Sequence, residues 1–194
     1  MADGLHRIVS SEEEQLILVD EQDREIGGLD KAACHDGSGV LHRAFSLFVF
    51  DAAGRLLLQR RAAGKRLWPL YWSNSCCSHP RVGETMEQAT ARRLHEELNV
   101  HAALEFVYKF AYTARYDATG SENELCWVFL GRTCEPIVPN RHEVDAVRLL
   151  PGSRVQAELD GDPGAFTPWF RLEWQRLSDD YPDVLDRYTA PAPG

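Results

Sequence analysis

The chain has 194 residues, of which 44% are hydrophobic and 26% charged, the make-up of one globular domain large enough to build its own core. A net charge of −9 disfavours nonspecific nucleic-acid binding, which depends on neutralising phosphates. No apolar run reaches bilayer length, and the N-terminus lacks the apolar segment of a secretory signal, so a cytoplasmic protein with no membrane partner is expected. The cysteines, Cys34, Cys76, Cys77, Cys126 and Cys134, are odd in number and have no CxxC spacing. That argues against a disulfide framework and a structural zinc site, and for free thiols.

In chain order, residues 1–12 are polar and expected to be a flexible extension, with Glu12-Glu13-Glu14 a solvated charge run. Gln15 to Val19 reads as a first strand and Ile26 to Leu29 as its return. Lys31 to His35 leads into a glycine loop, Asp36-Gly37-Ser38-Gly39. His42 to Phe50 and Arg55 to Gln59 form a hairpin about Asp51-Ala52-Ala53-Gly54. Arg60 to Arg66 is strongly basic and is followed by Leu67-Trp68-Pro69; such a run is usually a solvated face, but in an acidic chain it also suits a small anion. Glu84 to Leu98 has helical periodicity through Met86, Ala89, Leu94 and Leu98. Ala103 to Tyr112, Leu125 to Arg132 and Val144 to Leu150 read as strands. Pro151 and Asp160-Gly161-Asp162-Pro163-Gly164 read as breakers, and Phe166 to Leu177 as a C-terminal helix with Pro168 in its first turn. With no repeat or linker, the expected architecture is one mixed α/β domain over 13–188, with a disordered tail over 189–194.

The chemistry gathers around Trp72-Ser73-Asn74-Ser75-Cys76-Cys77-Ser78-His79-Pro80, which places a thiol, an imidazole and a helix entry close together. Taken singly, each residue has a plain structural reading: a cysteine in such a run is most often a buried filler. If the stretch is extended, Cys76 and Cys77 point to opposite faces. His35, His42 and His79, with Glu122 and Glu124 at same-face strand spacing, form a candidate set for a mid-row divalent ion such as manganese, iron or zinc, with magnesium also able to fit.

Ser78 to Val100 resembles a degraded Nudix box. Glu84, Arg92, Glu96 and Glu97 occupy matching positions, but Ser78 stands in place of the first Gly, Arg93 in place of a Glu and Asn99 in place of the last Gly. The implied fold is a Nudix-like α/β/α sandwich, turned to something other than ordinary diphosphate hydrolysis. Wider still, the chain resembles the type 1 isopentenyl-diphosphate isomerases, through Ala33-Cys34-His35, Leu41-His42-Arg43-Ala44-Phe45, Asn74 to Pro80, Glu122-Asn123-Glu124-Leu125-Cys126 and Phe166-Thr167-Pro168-Trp169.

That resemblance implies interconversion of isopentenyl and dimethylallyl diphosphate, with Cys77 and Glu124 as the proton-transfer groups. It implies that Tyr112 hydrogen-bonds the catalytic carboxyl and that Trp169 faces the carbocation. It further implies an inner divalent ion, Mn2+ before Zn2+ or Mg2+, on His35, His42, His79, Glu122 and Glu124. Glu97 would hold a Mg2+ that travels with the diphosphate, and Lys31, Arg61, Lys65, Ser78 and Arg93 would bind the diphosphate itself. The expected partner is a small isoprenoid diphosphate, handled by a monomer or weak dimer. Three other readings compete: a Nudix-type diphosphate hydrolase, which Arg93 disfavours; a metal-binding scaffold without turnover; and a cysteine acyl hydrolase, for which no His-Asp relay can be picked out near Cys77.

Overall fold

A computed structural model describes residues 7–192. In chain order the elements are β1 (Gln15–Val19), β2 (Glu25–Asp30), α1 (Lys31–His35), β3 (His42–Phe50), β4 (Leu56–Arg61), β5 (Trp72–Ser73), β6 (Cys76–Ser78), α2 (Met86–Leu98), β7 (Ala103–Arg115), β8 (Ser121–Arg132), β9 (Val144–Leu150), α3 (Gly152–Gly161), α4 (Pro168–Asp180) and α5 (Pro182–Thr189). The sheet is assembled on β3, whose near-continuous apolar run suits a strand covered on both faces. β3 turns at Asp51, whose side chain accepts the Ala53 and Arg55 amides, and returns as β4. The two strands share only the Phe50–Leu56 pair before they part.

β3 then pairs in parallel with β8, from His42–Glu124 to Phe50–Arg132, and antiparallel with the short β6. It touches β1 at Leu18–His42. β4 takes β9 and β5 as partners, and β7 runs antiparallel along β8. The parting of β3 from β4 lets short, polar β5 and β6 enter the middle of the molecule.

Helices cover both sides. α2 packs on Phe45, Leu47, Val49 and Leu57 through Ala89, Leu94 and Leu98. α3, α4 and α5 pack on Phe48, Phe50, Leu56, Leu58 and Val128 through Val155, Phe170, Trp174, Leu177 and Leu185. This is the α/β/α sandwich that the degraded box implies.

The differences from the sequence reading have physical causes. α2 starts at Met86, because Thr85 closes a capping box with Gln88, and Glu84 stays outside to accept from Arg92. The Gly-to-Asn change at Asn99 is tolerated because Asn99 caps α2 in the left-handed region (φ 54°), where asparagine follows glycine in preference. Pro151 and Pro182 begin helices, since a proline directly before or at the first helical position lacks no bond that the helix needs. The strands of the β7–β8 hairpin extend to Arg115 and from Ser121, beyond their expected ends.

Of the extension expected over 1–12, residues 1–6 lie outside the described residues. Residues 7–12 are instead tied down: the Arg7 carbonyl accepts from Asn140 (2.9 Å), the Ser10 hydroxyl donates to Glu143 (2.9 Å) and the Glu12 carbonyl accepts from the Ala32 amide (3.0 Å). Of the tail expected from 189, Thr189 ends α5 and the Ala192 amide donates to the Ala52 carbonyl (2.8 Å). Residues 193–194 lie outside the described residues.

Candidate active site and metal centre

Strand register brings the polar residues together. β8 lies beside β3, so Glu124 stands opposite His42, and Glu122 follows on the same face. The glycine loop that joins α1 to β3 is clipped to β8: the Ser121 hydroxyl donates to the Gly37 carbonyl (2.8 Å) and Asn123 to the Gly39 carbonyl (3.3 Å). Gly120 completes this contact, because a Cβ there would lie 2.2 Å from the His35 carbonyl oxygen. His35 is thereby pressed against Glu122, with 2.9 Å between Nε2 and Oε2.

One ligand atom from each of His35, His42, His79, Glu122 and Glu124 lies within 4.8 Å of every other; four of these residues are buried and His79 nearly so. The Nδ1–H of His35 donates to the Lys31 carbonyl (2.6 Å) and that of His42 to the Val40 carbonyl (2.7 Å). A carbonyl only accepts, so both rings keep the Nε2 lone pair for the cluster. Among the described residues His42 Nε2 is buried without a hydrogen-bond partner, which suits a metal ligand. The donor set therefore fits a divalent ion.

The electrostatics agree. Burial, reinforced by His35, pushes His42 down to about 4. Burial and the other two imidazoles hold His79 well below its ordinary range, so both rings are neutral ligands. Burial also lowers His35, but the Glu122 carboxylate outweighs it and the net shift is upward. The carboxyls are driven apart. Burial raises Glu122, but the adjacent His35 ring overcomes it and the net shift is downward; burial and the Glu122 charge raise Glu124. Two carboxyls with opposed shifts are a recurrent arrangement for proton transfer. Tyr112 donates to Glu124 Oε2 at 2.6 Å, and His79 Nε2 lies 2.9 Å from Oε1.

The cluster opens into a pocket of about 310 Å³ whose lining includes Cys77, Tyr112, Glu124 and Trp169. Cys77 and Cys76 face opposite ways. Cys77 reaches the pocket; Cys76 is fully buried among Phe45, Ala89 and Leu94 beneath α2. Burial pushes the Cys77 thiol up to about 11, against the pull of Arg61, so it carries its proton at neutral pH. Trp169 enters from the first turn of α4. That turn is fixed by the Ser73–Thr167 hydroxyl pair (2.9 Å) and by the Thr167 amide on the Trp72 carbonyl (2.9 Å). Trp68 meets the Trp169 ring edge-on at 5.2 Å.

Lys31, Arg61, Lys65, Ser78 and Arg93 all line the same pocket, and the four basic residues among them are an island of cations in an acidic chain. Arg61 binds the Leu67 and Trp68 carbonyls (3.0 and 3.1 Å), approaches Cys77 Sγ (3.6 Å) and lies 5.1 Å from the Trp169 ring centre. Arg93 is enclosed by Glu96, Glu97 and Glu143. Lys65 also pairs with Glu143. Burial lowers the Lys31 pKa, and Lys65 adds to the effect.

Glu97 is not brought to the His/Glu cluster. It is buried beneath the pocket wall, bonded to Arg93 and, at 3.2 Å, to Gln59. Glu143 is the site residue that the sequence reading missed. It joins Lys65, Arg93 and Ser10, and no local motif marks it because its partners come from distant parts of the chain.

The NUDIX domain family matches residues 40–170. Isopentenyl-diphosphate Delta-isomerase 1 of Photorhabdus laumondii is 40% identical over 174 residues, covering 89% of this chain and 99% of its own. Isopentenyl-diphosphate Delta-isomerase of Nocardia farcinica is 46% identical over 153 residues, covering 78% of this chain and 87% of its own. A solved Deinococcus radiodurans protein superposes with a TM-score of 0.69 at 23% identity, covering 84% of this chain and 98% of its own, a likeness of fold.

Proposed function

This chain belongs to the isopentenyl-diphosphate isomerases of the Nudix family, and from that membership we propose how its residues divide the reaction. The enzyme interconverts isopentenyl and dimethylallyl diphosphate: a proton adds to the alkene, a tertiary carbocation forms, and a proton leaves the neighbouring carbon. The observation that carries the assignment of roles is that Cys77 and Glu124, from strands on either side of β3, face one pocket roofed by Trp169 and lined further out by cations. Cys77 and Glu124 carry the two proton transfers. Tyr112 holds the Glu124 carboxyl by its 2.6 Å bond. The Trp169 π-face steadies the cation by its quadrupole, worth about 2 kcal/mol when desolvated, and is too poor a nucleophile to capture it.

The inner ion, Mn2+ in this reading with Zn2+ or Mg2+ as substitutes, would sit on His35, His42, His79, Glu122 and Glu124. When bound it lowers the Glu124 pKa and orients that carboxyl. Lys31, Arg61, Lys65, Ser78 and Arg93 receive the diphosphate, with Lys65 and Arg93 exchanging Glu143 for phosphate oxygens. Hydrolysis in the Nudix manner is not favoured, because Arg93 stands where the box has a carboxylate and forms an ion pair with Glu97 instead. The wider reading is a cytoplasmic monomer or weak dimer without a nucleic-acid or membrane partner, its domain spanning 13–188. All five cysteines are free thiols, and among the described residues no helix is long and apolar enough to cross a membrane.

Magnesium and the inner metal separate in one variant. Glu97→Gln raises the magnesium concentration needed for half-maximal turnover by about tenfold, while the metal content at the histidines stays at the wild-type level. Loss of the inner metal in this variant, with the magnesium requirement unchanged, would refute the two-site division.

A further inference from the structure

One helical turn beyond Trp169, on the same face of α4, stands Glu173. It is 0% exposed, and it has no part in the site as described so far. Its Oε1 lies 3.5 Å from Cys126 Sγ, and that sulfur lies 3.5 Å from Ser46 Oγ. Its Oε2 is buried and has no partner among the described residues. Ser46 faces Cys77 directly across the β3–β6 pair, and Cys126 is the next residue after Glu124 on the same face of β8. Glu173, Cys126 and Ser46 thus form a polar seam under both proton-transfer side chains. Beyond the seam, the face continues as Phe48, Phe50, Val128 and Leu130.

A carboxylate in this position would be an uncompensated buried charge. The groups that face it are Cys126 and Glu124 from β8, Cys77 from β6 and Ser46 from β3. From β7, Tyr108 donates its hydroxyl to the Glu173 carbonyl (3.2 Å), while Arg176 of α4 is stacked over the Tyr108 ring at 4.8 Å. Burial pushes the Glu173 pKa up to about 8, so the group is an uncharged acid at neutral pH. An apolar side chain would fill this place without an orphaned oxygen, so packing alone does not call for an acid here.

We propose that Glu173 is a positioning residue for the isomerisation: its carboxyl, through Cys126 and Ser46, fixes the seam on which Cys77 and Glu124 stand. The inference rests on the isomerase reading of the pocket. It concerns the proton-transfer groups, since Glu173, Cys126 and Ser46 lie outside the lining that the diphosphate cations share. Losing the seam therefore changes kcat and spares KM. Above pH 8 the ionised Glu173 raises the proton affinity of Cys77, so it contributes an alkaline decline in kcat.

The test measures kcat, KM and thermal melting for metal-replete wild type, Glu173→Gln and Glu173→Leu from neutral to alkaline pH. Glu173→Leu is expected to lower kcat about tenfold with KM within about twofold of wild type. Glu173→Gln, which keeps a neutral polar group of the same shape, recovers most of that loss and lacks the wild-type decline in kcat through pH 8. A Leu variant with wild-type kcat overturns the proposal, and so does a Gln variant that falls as far as Leu. If the Leu variant does not fold, the comparison of pH profiles between wild type and Gln decides. A wild type that does not isomerise would count against the reading of the pocket and not against Glu173.

Discussion

Cys77→Ala lowers turnover by about 10³-fold or more, the scale of a lost proton-transfer group, while Cys76→Ala retains most of the wild-type kcat. The two thiols are neighbours in sequence with opposite surroundings. Cys77 lines the pocket near Arg61 and is held as a thiol by burial. Cys76 is fully buried on the α2 side of the sheet, where its sulfur packs against Phe45, Ala89 and Leu94. Removing the Cys76 sulfur costs about 1 kcal/mol of stability through the small void it leaves, which melting detects. Steady-state kinetics on both variants, with metal content and melting measured alongside, check the pair. Equal losses of kcat would show that alternation along β6 does not separate a reactive from a structural cysteine.

Glu124→Gln is expected to fall as far, by about 10³-fold in kcat, and to lose inner metal as well. An amide keeps the shape of the side chain but neither accepts a proton nor offers an anionic ligand. Its NH2 would also point at either Tyr112 or His79, each now poised to meet a carboxylate oxygen. Tyr112→Phe removes only the 2.6 Å bond and is the milder change. Metal analysis of the purified Glu124→Gln protein and its turnover with added manganese decide the matter. Full metal content together with turnover within tenfold of wild type would remove Glu124 from its double role.

Part of this site was legible in strand spacing, while the roles of Cys77, Tyr112, Trp169 and the diphosphate-binding residues came only from the resemblance to the isomerases. Glu122 and Glu124 are two apart on β8 and so share a face. Cys76 and Cys77 are one apart on β6 and so divide between faces. Asn99 stood out as a substituted glycine, and it occupies the left-handed cap that explains the substitution. Arg93 stood out in the same way, but its surroundings did not. Its carboxylate partners include Glu143, fifty positions away, and nothing local to Glu143 marks it as part of a pocket. Glu173 was hidden for a similar reason: on α4 it reads as one more charged residue of an amphipathic helix, and only the packing against Cys126 shows that it faces inward.

The helix over 152–161 was missed because Pro151 reads as a stop, and the one over 182–189 drew no reading at all, although a helix entry accepts proline more readily than any interior position does. The composition of the glycine loop over 36–39 says nothing of its partners, yet the Ser121 and Asn123 side chains, distant in sequence, hold it against β8. Long-range hydrogen bonds of this kind have no counterpart in a local pattern.

The most direct test of the paired proton-transfer account is isotope exchange. Metal-replete enzyme is incubated with isopentenyl diphosphate in heavy water, and both five-carbon diphosphates are followed by mass spectrometry. Reversible protonation and deprotonation by Cys77 and Glu124 predicts deuterium from the solvent in isopentenyl and in dimethylallyl diphosphate. Isomerisation without deuterium uptake, or the release of phosphate in place of isomerisation, would contradict it.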